Sequence, residues 1–154
     1  MLKIIILSFC LITTLVSATQ ENTKLSYNAS LILLDEMKQD AIILGTGQKI
    51  LYVFIDPLCK HSCKFVRMVS KSPKMLSKYQ YHFFLYAIPR LKSSEVISAI
   101  YLSENPLQTQ LDVMVKKKIS YHKDTNKTKA KIDRINTVAQ KIAVSKRPYI
   151  FIVK

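Results

Sequence analysis

Two cysteines, Cys59 and Cys63, carry the sharpest chemical signal in this chain of 154 residues. They follow an apolar run, Ile50 to Ile55, that ends at Asp56-Pro57. After them Phe65, Val66, Met68 and Val69 alternate with Lys64, Arg67 and Lys71 at helical spacing. The pattern reads as a buried strand, a tight turn and a helix, with thiols at the handover. Backbone N–H groups at a helix start are unpaired and favour negative charge, which biases a cysteine there toward the reactive thiolate. Lys60 and His61 stand between the two thiols and are the candidates to tune that thiolate. Two cysteines this close enclose almost no loop, so pairing them adds little as a staple. Redox chemistry or a metal site is the better reading, with an inert pair as the bland one.

The elements that must hold this site can be read outward from it. Residues 1–18 form a basic start, an apolar run from Ile4 to Val16 and a small-residue end at Val16-Ser17-Ala18. That is a signal peptide, with an uncleaved anchor as the alternative. Its loss removes Cys10 and leaves Cys59 and Cys63 in an oxidising compartment, periplasmic or secreted. The net charge of +14 comes almost wholly from lysine. Export makes nucleic acid an unsuitable partner, and a solvated lysine-rich surface is the simplest use of that charge. The length fits one domain, and 49% hydrophobic residues are ample for its core.

Residues 19–40 read as an N-terminal segment with a short linker-type helix carrying Leu31, Ile32, Leu34 and Met37, capped by Asn28 or Ser30. Strands follow at Ala41–Leu44, Ile50–Ile55, Tyr81–Ile88 and Tyr149–Val153. Helices are expected after Cys63, around Val96–Tyr101, around Leu107–Val115 and around Ile132–Ile142, with a polar connection over Lys116–Ala130. Strands separated by helices imply an α/β sheet with parallel crossovers. In such sheets chemistry gathers at the carboxyl ends of the strands, which is where Cys59 falls.

Several stretches, taken in order, resemble the catalytic domain of the DsbC/DsbG periplasmic disulfide isomerases. They are Asp35-Glu36-Met37, Phe54-Ile-Asp-Pro57, Tyr86-Ala-Ile-Pro-Arg90, Ser94 to Tyr101, Leu111-Asp-Val-Met114 and Val144-Ser-Lys-Arg-Pro148. The resemblance implies a thioredoxin-like α/β fold over 41–154 with a helical insert at about 93–130. It implies Cys59 as the attacking thiolate, Cys63 as the resolving thiol, and Pro148 as a cis-proline whose neighbour Arg147 helps bind substrate peptide. No cofactor is implied. The partners would be unfolded or disulfide-bonded exported proteins and a redox partner protein. The chain departs from the pattern in three ways. The motif is Cys-x-x-x-Cys, one residue longer than usual, so the pair can close only if Cys59 lies off the helix or the first turn is distorted. Arg147 replaces a small polar residue, and would either add charge near the thiolate or crowd the peptide groove. The family's last strand and C-terminal helix have no counterpart, which leaves an open sheet edge suited to association of copies.

Two other functions fit the same residues. Cys-x-x-x-Cys after a strand is also similar to the Sco-type copper chaperones. That resemblance implies copper held by Cys59, Cys63 and a distant histidine, His122 before His82, because thiolates suit soft metals. The remaining reading is a redox-inactive thioredoxin fold that binds peptides.

Overall fold

The structure, a computed structural model, describes residues 25–154. The expected leader, with Cys10 in it, lies outside the described residues. Strand β2 (Lys49–Ile55) is the centre of the sheet. Its side chains alternate between two cores: Leu51, Val53 and Ile55 enter one, Tyr52 and Phe54 the other. That two-sided burial explains the unbroken apolar run in the sequence. Strand β3 (Tyr79–Leu85) lies parallel beside it, with Leu51 opposite Tyr81 and Phe54 opposite Phe84. Strand β1 (Ile42–Leu44) runs antiparallel along the outer side of β3, and β4 (Tyr149–Ile152) antiparallel along the outer side of β2. The order is β1-β3-β2-β4.

Only the β2–β3 pair is therefore the parallel crossover that the sequence suggested. The chain between β1 and β2 is a short turn, and a short turn reverses direction. Gly45 takes φ +91° there, and a Cβ on Gly47 would stand 2.1 Å from the Lys78 carbonyl carbon, so only glycine lets this turn pack on the start of β3.

Helix α2 (Lys60–Ser70) covers one face of the sheet through Cys63, Val66 and Val69, joined by α4 (Ser94–Leu102) and α5 (Pro106–Met114). Helix α1 (Tyr27–Glu36) and α6 (Asn126–Lys141) cover the other through Leu34, Ile135 and Ala139. The short α3 (Pro73–Lys78) delivers the chain into β3. Each fully buried large apolar side chain contributes about 1.5–3 kcal/mol, so both layers are needed to hold β2. A bidentate ion pair fixes the second layer: Arg134 on α6 donates to both Asp40 oxygens at 2.8 and 2.9 Å, just ahead of β1.

The caps correct two expected boundaries. Helix α1 starts at Tyr27 on a Ser26 cap, because Ser26 Oγ accepts the Ala29 N–H, and Ser30 is buried inside the helix. Helix α6 starts at Asn126, well ahead of its apolar stripe, because Thr125 and Thr128 form a reciprocal capping box. The connection before it is tied to α4: the His122 N–H donates to the Glu95 carbonyl at 3.0 Å, and Ser98 Oγ donates to the Asp124 carboxylate. Among the described residues no helix is long and apolar enough to cross a membrane.

Candidate active site

Cys59 is the residue from which α2 starts. It is extended (φ −75°, ψ 122°), so it lies off the helix, one of the two arrangements under which the longer spacing could close. Its carbonyl accepts the Cys63 N–H at 2.9 Å, which opens the first turn. Cys63 sits within that turn, on the core side. Both are free thiols and both residues are buried, Cys59 at 8% and Cys63 at 3% exposure. Lys60 and His61 are exposed on the outer side of the same turn.

The turn before Cys59 is organised by Asp56, the last residue before Pro57 and fully buried. Asp56 Oδ1 accepts the Leu58 N–H at 2.8 Å. Asp56 Oδ2 accepts the Ile88 N–H at 2.5 Å and the Ser93 hydroxyl at 2.7 Å. The Asp56 N–H in turn donates to Ser62 Oγ in α2, at 3.3 Å. The carboxylate thus joins the turn after β2, the segment after β3 and the entry to α4, and the backbone N–H of the same residue adds the first turn of α2. Sequence reasoning gave it only a place in a landmark; an Asp-Pro at a strand end, where an aspartate often bonds backbone two residues on, was the available signal.

The second wall is the loop before β4. The Arg147–Pro148 peptide bond is cis. The Arg147 carbonyl oxygen faces Cys59 Sγ at 3.9 Å, at the limit for a weak thiol donor, while Cys63 Sγ lies 3.3 Å from the Pro57 carbonyl. The Arg147 side chain reaches the end of β3. Its guanidinium lies 3.7 Å from the Tyr86 ring centroid and donates to the carbonyls of Tyr86 and Ala87, at 3.4 and 3.1 Å. Arg147 is thereby a brace between its own loop and the end of β3, and the sequence alone gave no sign that Tyr86 would receive it.

The structure brings Cys59, Cys63, Lys60, His61, Arg147 and Pro148 to one end of the sheet. It does not bring the histidines of the copper reading to them. His122 lies in the connection after α5, its Nδ1 2.8 Å from the Lys123 carbonyl. His82 is fully buried in β3, with Nε2 2.8 Å from Gln80 Oε1 and its ring edge-on to Tyr52. Among the described residues no three histidine, cysteine or acidic side chains stand together as a metal-binding group.

A four-stranded sheet with a dithiol at the β2–α2 junction, opposite a cis-proline loop, has the thioredoxin-like fold. Solved structures share it. The catalytic domain of Proteus mirabilis ScsC superposes with a TM-score of 0.60 at 11% identity, over 82% of this chain and 86% of that one. Helicobacter pylori DsbG gives 0.58 at 16% identity over 88% of this chain and 64% of its own. The thiol-disulfide exchange protein alpha-DsbA2 from Wolbachia pipientis gives 0.55 at 14% identity over 82% and 86%. No family model matches the sequence, and no curated protein matches it.

Proposed function

We propose that this chain is an exported thiol–disulfide oxidoreductase that works through Cys59 and Cys63. The observation that carries the reading is the placement of the two thiols. Cys59, the more exposed, begins α2 opposite the Arg147–Pro148 loop, and Cys63 lies behind it in the same first turn. The similarity of the fold to proteins described as thiol-disulfide exchange and disulfide interchange proteins supports it.

The chemistry balances without a cofactor. The Cys59 thiolate attacks one sulfur of a substrate disulfide. The substrate S–S bond breaks, and the departing sulfur takes a proton. The Cys63 thiolate then attacks Cys59 Sγ, the mixed disulfide breaks, and the second substrate thiol leaves. The substrate gains two electrons and two protons, and the enzyme ends as a Cys59–Cys63 disulfide. Isomerisation is the variant in which the first departing thiolate attacks another disulfide of the substrate and a substrate thiolate, in place of Cys63, then displaces Cys59 from the mixed disulfide, so that the enzyme leaves reduced and the substrate keeps its number of disulfides. The peptide substrate binds along the Arg147–Pro148 loop, and Lys60 supplies positive charge at the mouth, with His61 exposed beside it.

The test uses insulin reduction and reactivation of scrambled ribonuclease, with the redox state of the chain read by mass at a series of glutathione ratios. Cys59→Ala is expected to abolish both activities, and Cys63→Ala to accumulate mixed disulfides at Cys59. Full activity in both variants overturns the reading. So does a chain whose thiols never pair and which instead holds one copper ion.

A further inference from the structure

Helix α2 starts one residue past Cys59 and carries charges that the thiol chemistry by itself does not need. Lys60, Lys64, Arg67 and Lys71 recur at helical spacing, so they form one stripe along the side turned away from Cys63, Val66 and Val69. All four are exposed. At 1.5 Å per residue the stripe runs about 16 Å from the mouth of the dithiol. Met68, 53% exposed, stands beside it. None of the four is ion-paired among the described residues.

This arrangement works against the helix that bears it. Lys60 lies in the first turn and Lys64 just past it, at the end where the macrodipole favours anions, and the first turn of α2 has no acidic residue. Lys60 with Lys64, and Arg67 with Lys71, are like charges four apart, a spacing at which repulsion destabilises a helix. The neighbours bring no relief. From Pro57 to Ser94 the sequence has no acidic residue, and it adds Lys74, Lys78, Arg90 and Lys92. Asp56 is buried and bonded to its three donors. Asp112, on α5 beside α2, is held by Lys116 and Gln108 at 2.8 and 2.7 Å. The other lysine-rich helix, α6, differs: Asp133 lies within it, Asp124 just ahead of it, and its Arg134 is paired with Asp40. Unrelieved positive charge therefore gathers on the helix that leads out of the dithiol. A locally unfavourable pattern kept beside a reactive group points to use rather than to stability.

We propose that the α2 stripe receives an acidic segment of the protein whose disulfide Cys59 attacks, so that substrate carboxylates face Lys60, Lys64, Arg67 and Lys71 while the disulfide meets the thiol. This rests on the redox reading and adds a substrate class to it. Position favours a protein over an anionic lipid surface. The stripe begins beside the attacking sulfur, so a ligand bound along it is held against that sulfur, and only a disulfide-bearing chain gains from being held there. An extended chain spans the stripe in about five residues, so the carboxylates it reads lie within about five positions of the substrate cysteine. Each exposed pair is weak, and the stripe acts through their number and through faster encounter.

The probe is the peptide Glu-Ser-Glu-Ser-Gly-Cys-Gly-Ser-Glu-Ser-Glu, its cysteine held in a mixed disulfide with thionitrobenzoate. Its control carries Gln in place of every Glu. The Cys59 thiolate of the reduced protein attacks the peptide cysteine sulfur, that S–S bond breaks, and the coloured thionitrobenzoate thiolate leaves, so absorbance reports the rate. The acidic peptide is expected to react at least about tenfold faster at low salt, with the difference closing toward about 0.5 M salt. The combined variant Lys64→Gln, Arg67→Gln, Lys71→Gln is expected to lose at least about fivefold of that preference. Its Cys59 is expected to react with the neutral peptide and with iodoacetamide at unchanged rates, which also reports an intact site. The combined variant Lys127→Gln, Lys129→Gln, Lys141→Gln removes the same charge from α6, on the other face of the sheet, and is expected to keep the preference. Equal rates for the two peptides, a preference that survives the α2 variant, or an equal loss in the α6 variant overturns the proposal. So does absence of a peptide preference together with sedimentation on phosphatidylglycerol vesicles that the α2 variant loses, because a lipid surface then fills the stripe. Thionitrobenzoate release undiminished in Cys59→Ala overturns the redox reading itself, whereas release through Cys59 with no preference for carboxylates overturns this proposal alone.

Discussion

Asp56 is buried with no cationic partner among the described residues, and its three bonded donors come from three different segments. Removing it leaves the Leu58 and Ile88 N–H groups and the Ser93 hydroxyl facing a hole. A buried polar group left unmet costs about 1–3 kcal/mol, and here several are lost together. Asp56→Ala is therefore expected to lower unfolding stability by about 3–5 kcal/mol, read as a lower urea midpoint at unchanged slope. Asp56→Asn keeps an acceptor but turns an amide NH2 toward donors, and falls between the two. The same residue shows what the sequence concealed. The places of Cys59 and Cys63 were legible from the strand–turn–helix pattern around them, and the cis-proline at Pro148 only through the resemblance, because a proline before a strand is more often an ordinary trans one. Asp56, Ser62, Tyr86 and Ser93 were not, because their partners lie on other elements and no local spacing encodes them.

The α6 helix ends as a Schellman motif. The Val144 N–H reaches the Ala139 carbonyl at 2.8 Å, and the Ala143 N–H reaches the Gln140 carbonyl at 3.0 Å. That geometry puts Ala143 at φ +56°, the left-handed region where a Cβ is strained. The stop matters because the chain runs from here directly into the Arg147–Pro148 loop opposite Cys59. Glycine at this position removes the clash but widens the unfolded ensemble, so the gain is smaller than the strain itself. Ala143→Gly is expected to raise stability by about 0.5–1 kcal/mol, measured by urea unfolding, with the insulin-reduction rate unchanged. The helix was readable from Ile132, Ile135, Val138, Ala139 and Ile142, but its first turn was not. Asn126 to Lys131 carry polar side chains apart from Ala130, and their helicity comes from the Thr125–Thr128 capping box and from tertiary ties rather than from an apolar stripe.

On the scale of the whole molecule, the sheet divides the chain into two cores, and β2 was placed correctly at their boundary from its composition alone. The sheet directions were less legible, because alternating strands and helices suggest parallel pairing while a short turn and a returning edge strand do not announce their partners. One consequence of the two-core design is that His82 is buried in β3, in a layer built from α1 and α6. Tyr52, Asp35, Lys38 and Gln80 surround it. Tyr52 is engaged as a donor to Asp35, and His82 Nδ1 has no partner among the described residues. Burial lowers the His82 pKa below 6.5, Lys38 lowers it further, and Asp35 opposes them. The folded state therefore holds a neutral imidazole where the unfolded chain would already bind a proton. With more protons on the unfolded chain, stability falls as pH falls, starting near 6.5 and continuing to the depressed folded value. Above that window the contribution is complete. The protein is expected to melt at a lower temperature at about pH 5.5 than at about pH 7.5, a range in which carboxylates stay ionised and histidine is the side chain that titrates. His82→Gln, which keeps a polar side chain but no titration, is expected to flatten that dependence even if it melts lower throughout. An unchanged slope in His82→Gln overturns the assignment of the acid sensitivity to His82.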